Sequence, residues 1–125
     1  MNNKITKRFK WLVFAAVILV SGLPMWLTNY ATYSNNSGIF LLYGGIVCAV
    51  GSGFLTYYTK HTTWKIIFFI AAADQLAFIG KVFIDGREDR TNHNLLPFEM
   101  IIILVVDLLF SLILSVLVKQ TQKEQ

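Results

Sequence analysis

Four apolar runs separated by short polar breaks set the pattern of the chain. They cover residues 11–27, 39–59, 64–84 and 98–118. Each has about the length that one helical crossing of a bilayer needs, at a rise of ~1.5 Å per residue. Each is expected to be helical, because lipid offers no partner to backbone N–H and C=O groups. From residue 11 to residue 59 there is no Asp, Glu, Lys, Arg or His across 49 positions, enough for two spans and a turn. The breaks differ in character. Residues 28–38 are polar and uncharged, residues 60–63 read as a tight turn, and residues 85–97 form the longest break and the only richly charged one. No internal repeat or linker divides the chain. The pattern predicts one all-α domain over residues 1–125, an integral membrane four-helix bundle with short loops. Pro24, near the end of the first run, is expected to kink or fray its last turn.

Composition agrees. Hydrophobic residues make up 55% of the chain and charged residues 14%, with a mean hydropathy of +0.57. Soluble domains run at about 25% charged, so a soluble enzyme and a disordered chain are both disfavoured. The net charge of +4 matters less than where the positives sit. Lys4, Lys7, Arg8, Lys10, Lys60, Lys65, Lys119 and Lys123 flank one side of the spans, against Arg87 and Arg90 on the other. Eight against two places both termini in the cytoplasm, with the chain in a plasma or inner membrane and no role in nucleic-acid binding. Trp11, Tyr57, Tyr58 and Trp64 then mark the inner interface, and Trp26, Tyr30, Tyr33 and Tyr43 the outer one. A cleaved signal peptide is the competing reading of the first run, with a cleavage site at Val20-Ser21-Gly22. The apolar run continues through Leu23, Met25, Trp26 and Leu27, which favours a retained span. Cys48 is the only cysteine, so no internal disulfide forms.

Small residues recur at four-residue spacing in the second run, in one row at Gly45, Ala49 and Gly53 and another at Gly44, Cys48 and Ser52. Such rows allow helix backbones to approach closely where no hydrophobic effect drives helices together. A weaker row runs through Ala73, Ala77 and Gly80. These glycines lie inside spans, so a phosphate-binding loop is excluded. Cys48 reads as a small apolar filler.

The most informative positions are polar ones at membrane depth. Asp74 is central in the third run and Asp107 nearly central in the fourth. The two helices are consecutive and antiparallel, so the carboxyls are expected at one depth and turned inward. A charged side chain at mid-membrane costs at least about 2.5–3.5 kcal/mol. The pair is expected to face each other or Gln75, Ser111 and Ser115. Two carboxyls in a dry site cannot both ionise easily, so they are expected to share a proton, either as a relay or as a structural hydrogen bond. Lys81, two turns beyond Asp74, is expected to pair with Glu99 or to snorkel toward the interface. Glu99 follows Pro97 at the start of a helix, where a carboxylate suits the helix dipole.

In the last loop Asp85, Glu88, Asp89 and His93, with Glu99, form an oxygen-rich cluster that a divalent cation would suit. Its spacing matches no ligand motif, and Arg87 and Arg90 offset it, so a solvated loop is favoured and no metal ligand is assigned. Asn92-His93-Asn94 is expected to close this loop. His61 and His93 sit in breaks on opposite sides, which disfavours a haem held by paired histidines, and no cofactor is implied. Intramembrane aspartyl proteases carry Gly-x-Gly-Asp, whereas Asp74 follows Ala71-Ala72-Ala73. Three roles stay open. The favoured one is an accessory or structural subunit of a membrane complex, with lipid and a second copy or another membrane protein as partners. The second is a minimal ion- or proton-coupled transporter acting through Asp74 and Asp107. The third is a membrane enzyme with an outer-face site at Asp89, His93 and Glu99.

Single cysteines at Asn3, Ser37, Thr62, Asn92 and Gln122, in a Cys48→Ser background, test the orientation. An impermeant thiol reagent added to intact cells should label positions 37 and 92 alone; labelling at position 62 would overturn the assignment.

Overall fold

The computed structural model describes residues 3–59, 63–88 and 96–124. It is all-α, with five helices among those residues: α1 Asn3–Trp26, α2 Tyr30–Asn35, α3 Ser37–Tyr58, α4 Thr63–Glu88 and α5 Leu96–Glu124. Four of them are long and apolar enough to cross a membrane, over Lys7–Trp26, Ser37–Tyr58, Thr63–Asp85 and Pro97–Lys123. The architecture is that of a small multi-pass membrane protein. α3 packs most extensively on α5, and α1 on α4. The first part of α1 and the last part of α5 meet the end of α3, at Phe9–Tyr58 and Gln122–Tyr57, and this is here the terminal end of the bundle; α2 marks the other, the α2 end.

The helices outrun the apolar runs that predict them. α4 continues to Glu88, so Asp85 is helical rather than part of a loop. Hydropathy ends where the bilayer would, but backbone hydrogen bonding does not. The polar break at residues 28–38 is also not all loop. Asn29 caps α2, its side chain accepting from the Thr32 N–H at 2.8 Å. Tyr33 on this short helix is buried and tilts against Phe40, with ring centroids 5.1 Å apart. The expected turn at residues 60–63 and the Asn92-His93-Asn94 closure fall, all or mostly, outside the described residues.

Both small-residue rows make close helix contacts. A Cβ on Gly45 would lie 2.6 Å from Phe110 Cδ2, and one on Gly53 would lie 3.0 Å from Leu114 Cδ2. The Gly45 row is therefore the groove that receives the Phe110 and Leu114 side chains of α5. The row on α4 serves α1. The Trp26 indole lies against Gly22 of its own helix and Gly80 of α4, and its Nε1–H donates to the Ala77 carbonyl at 2.9 Å. Trp26 is thus a bundle contact rather than an interfacial marker alone.

Pro24 sits inside α1 without ending it. Having no N–H, it leaves the Val20 carbonyl one turn back without its helical donor. The Tyr43 hydroxyl of α3 donates to that carbonyl at 2.7 Å. A proline defect in one span is thereby repaired from another, as lipid requires.

Tyr43→Phe should leave the Val20 carbonyl orphaned and cost about 1–3 kcal/mol in a detergent unfolding titration. In a Pro24→Ala background the helix supplies its own donor, and the same substitution should cost much less. Equal losses in both backgrounds would show that the hydroxyl does not compensate the proline.

Candidate functional site

Helix α4 carries Asp74 and helix α5 carries Asp107, and both are buried, at 4% and 0% exposure. Cys48 of α3 closes the group. One donor atom from each residue, the Cys48 Sγ and a carboxylate oxygen from each aspartate, lies within 4.8 Å of the other two. The acid pair expected from matched depth is present as a side-chain cluster, with a cysteine added. Gly44 makes room for it: a Cβ there would sit 3.0 Å from Asp74 Oδ2.

The hydrogen bonding of the cluster is incomplete. Among the described residues, Asp74 Oδ1 and both Asp107 oxygens have no partner, nor do the Ser52 and Ser111 hydroxyls. An ionised carboxyl only accepts, so two of them have nothing to offer each other. One proton held between them turns one carboxyl into a donor and removes one charge from the dry interior. The thiol makes a long contact, 3.9 Å, to the Ile70 carbonyl. Cys48, Asp74 and Asp107 are also a donor set that a divalent metal could use, at the cost of collecting three negative charges in an apolar site.

From this cluster a polar seam runs toward the terminal end. Asp107, Ser111 and Ser115 repeat every fourth residue of α5, and all three are fully buried. Gly44, Cys48, Ser52 and Thr56 repeat likewise on α3 and are buried too. The seam closes where the Thr56 hydroxyl donates to Ser115 Oγ at 3.0 Å.

Toward the α2 end the cluster is open. A cavity of about 380 Å³ runs from exposed Ser34, Ser37 and Gly38 down to Ser21, Gly44 and Asp74. Glu99, in the first turn of α5, lines it as well. Tyr33, Phe40 and Phe78 contribute aromatic walls. Burial pushes the Tyr33 phenol up from its ordinary value, and the acidic groups around it push the same way, so it stays a neutral hydroxyl.

Other expected site residues take different places. Lys81 is fully buried and does not snorkel. Its ammonium pairs with Asp85, one turn along α4, at 2.9 Å, and donates to the Thr28 carbonyl at 2.5 Å. That pins the chain after α1 to α4. Asp85, expected among the loop residues, is the counter-ion of this pair. Gln75 does not join the acids, since its Nε2 donates to the Met100 carbonyl at 3.0 Å and ties α4 to α5. Asp89 and His93 lie outside the described residues. Cys48, Gly44 and Ser52 were not expected near the acids. One signal for Cys48 is in the sequence: it lies mid-span, as Asp74 and Asp107 do. Compared with known protein families, curated proteins and solved structures, the chain has no match.

A double-mutant cycle measures whether the acids touch. Asp74→Leu or Asp107→Leu alone should each cost about 1–3 kcal/mol by orphaning the partner. The double Leu variant should be less destabilised than the sum, by at least ~0.5 kcal/mol. Simple additivity in a detergent unfolding titration would separate the two carboxyls.

Proposed function

We propose that this is a minimal proton-coupled membrane protein in which Asp74 and Asp107 form one proton-binding site loaded from the α2 end. The observation that carries this reading is the cavity reaching Asp74. A carboxyl pair used only to fix helix register would need no route from bulk water. Here one face of the pair meets an open cavity, and the other meets a closed seam of hydroxyls. That is one loaded state of an alternating-access device, in which a proton site communicates with one side at a time.

The distribution of basic residues argues that the termini are cytoplasmic, in the cell membrane, so the cavity faces outward. The accessory-subunit reading keeps one observation in its favour. Ile101, Val105, Leu109 and Ile113 of α5 are all about half exposed or more, and a partner helix would suit that face as well as lipid does. It does not account for the cavity. The enzymatic reading rests on Asp89, His93 and Glu99; the first two lie outside the described residues, and Glu99 lines the cavity.

Infrared spectroscopy of the protein in sealed, right-side-out vesicles tests the proposal. A protonated-carboxyl band should be present, should fade as the external medium is made alkaline, and should vanish in the Asp74→Asn/Asp107→Asn variant. A band that ignores external pH, or that survives in the double variant, would overturn it.

A further inference from the structure

We infer that the cavity above Asp74 is a binding site for a substituted-ammonium cation carrying an apolar group; this rests on the reading of Asp74 and Asp107 as a proton site. Its size is the first argument. Small-molecule sites are typically about 300–1,000 Å³, and 380 Å³ accepts a compact organic ion but not a macromolecule. Its charge is the second. The carboxyls in the lining are Asp74 and Glu99, and among the described residues no lysine or arginine lines the cavity. The nearest ammonium, Lys81, is already neutralised by Asp85. Asp74 is the floor, nine-tenths buried and more, with Oδ1 unpartnered.

The walls are the third argument. Tyr33, Phe40 and Phe78 line the cavity, and aromatic faces attract alkylammonium groups. The Tyr33 ring already demonstrates this within the protein, with Lys81 Nζ at 5.2 Å from its centroid. Met25, Leu41, Ile102 and Ile103 give the apolar substituent its surface. The apolar and aromatic share of these walls suits an organic cation rather than a bare metal ion, and an anion would meet two acids.

Proton and cation then compete for one charge. When the cation reaches Asp74, the shared proton leaves through the same cavity, so one positive charge replaces another and the buried charge is unchanged. One-for-one exchange makes the apparent affinity fall about tenfold per pH unit of acidification, in the range where the pair is protonated.

The full chain in an uncharged detergent can be titrated calorimetrically with benzyltrimethylammonium, and with phenylmethanesulfonate as the anion of similar shape. The cation should bind, more tightly as pH rises, with about one proton released; the sulfonate should not. Asp74→Asn should weaken binding at least tenfold. Should that variant fold poorly, Gly38→Trp serves instead: a Cβ at Gly38, in the cavity lining, has nothing within 4 Å, so an indole there can fill the mouth and leaves both acids in the sequence. It should abolish binding with the melting temperature retained. Equal binding of both ions, no binding of the cation, or wild-type affinity in these variants overturns the site. If the infrared carboxyl band titrates but the cation does not bind, the ligand class alone fails. If the cation binds without pH dependence or proton release, the proton reading alone fails. Micelles doped with phosphatidylcholine separate two sources of the same chemistry. Competition assigns the site to a lipid headgroup and its absence to a free solute, and either supports an ammonium site.

Discussion

Lipid cannot solvate a polar side chain, and that constraint orients every long helix in this protein. The four spans turn Asp74, Asp107, Lys81, Asp85 and the hydroxyls of Ser21, Ser52, Ser111 and Ser115 inward, leaving Leu, Ile, Val and Phe side chains to face outward. The interior is therefore held by two kinds of contact. Glycine rows bring α3 and α5 together until Phe110 and Leu114 fill the groove. Polar contacts then fix register, from Thr56–Ser115 at one end to Trp26–Ala77 and Lys81–Thr28 at the other. No single one is strong in lipid, because the inserted but unassembled helices find other partners for their polar groups. Together they select one arrangement.

The same constraint explains how much could be read from the sequence. Span number, span type and the inward acid pair follow from hydropathy and depth alone, because the bilayer imposes them on any chain. The small-residue rows are legible for the same reason, although which helix fills each row is not. What escapes is lateral. Depth arithmetic places Cys48 level with the acids but does not say that α3 turns it toward them. Lys81 and Asp85 are four residues apart and could have been paired, had the helix been continued past its apolar run. Tyr43 reads as an interfacial aromatic because nothing local couples it to Pro24, nineteen residues away. The cavity is the least legible feature, since it is the space five helices leave and no residue encodes it alone.

Its existence depends on α2. A tight turn between the first and second spans would let α1 and α3 close on each other at this end. Instead Asn29 caps a short helix whose Tyr33 wedges between Phe40 and the end of α4. The Lys81–Asp85 pair braces that wedge through the Thr28 carbonyl just before it. A buried ion pair is a poor source of net stability, because desolvating two charges offsets their attraction. Its value here is positional: it ties the α1–α2 junction to α4 beside the cavity.

The bundle is asymmetric along its axis in a manner that bears on mechanism. Between the acid pair and the α2 end lies open space. Between the pair and the terminal end lie hydroxyls spaced one helical turn apart, and Leu55, Ile66 and Phe9 belong to an apolar cluster of the same bundle. A proton could step along such a row only if each hydroxyl turned in sequence, and Thr56 and Ser115 are already committed to each other. On the proposed proton-coupled reading, release to that side would need α3 and α5 to part near Gly53, where small residues and one hydroxyl pair hold them, while the Gly45 groove stays filled by Phe110. A hinge at the acid pair itself satisfies both conditions. It would place the proposed proton exchange at the one level where movement of α3 against α5 changes what the carboxyls can see.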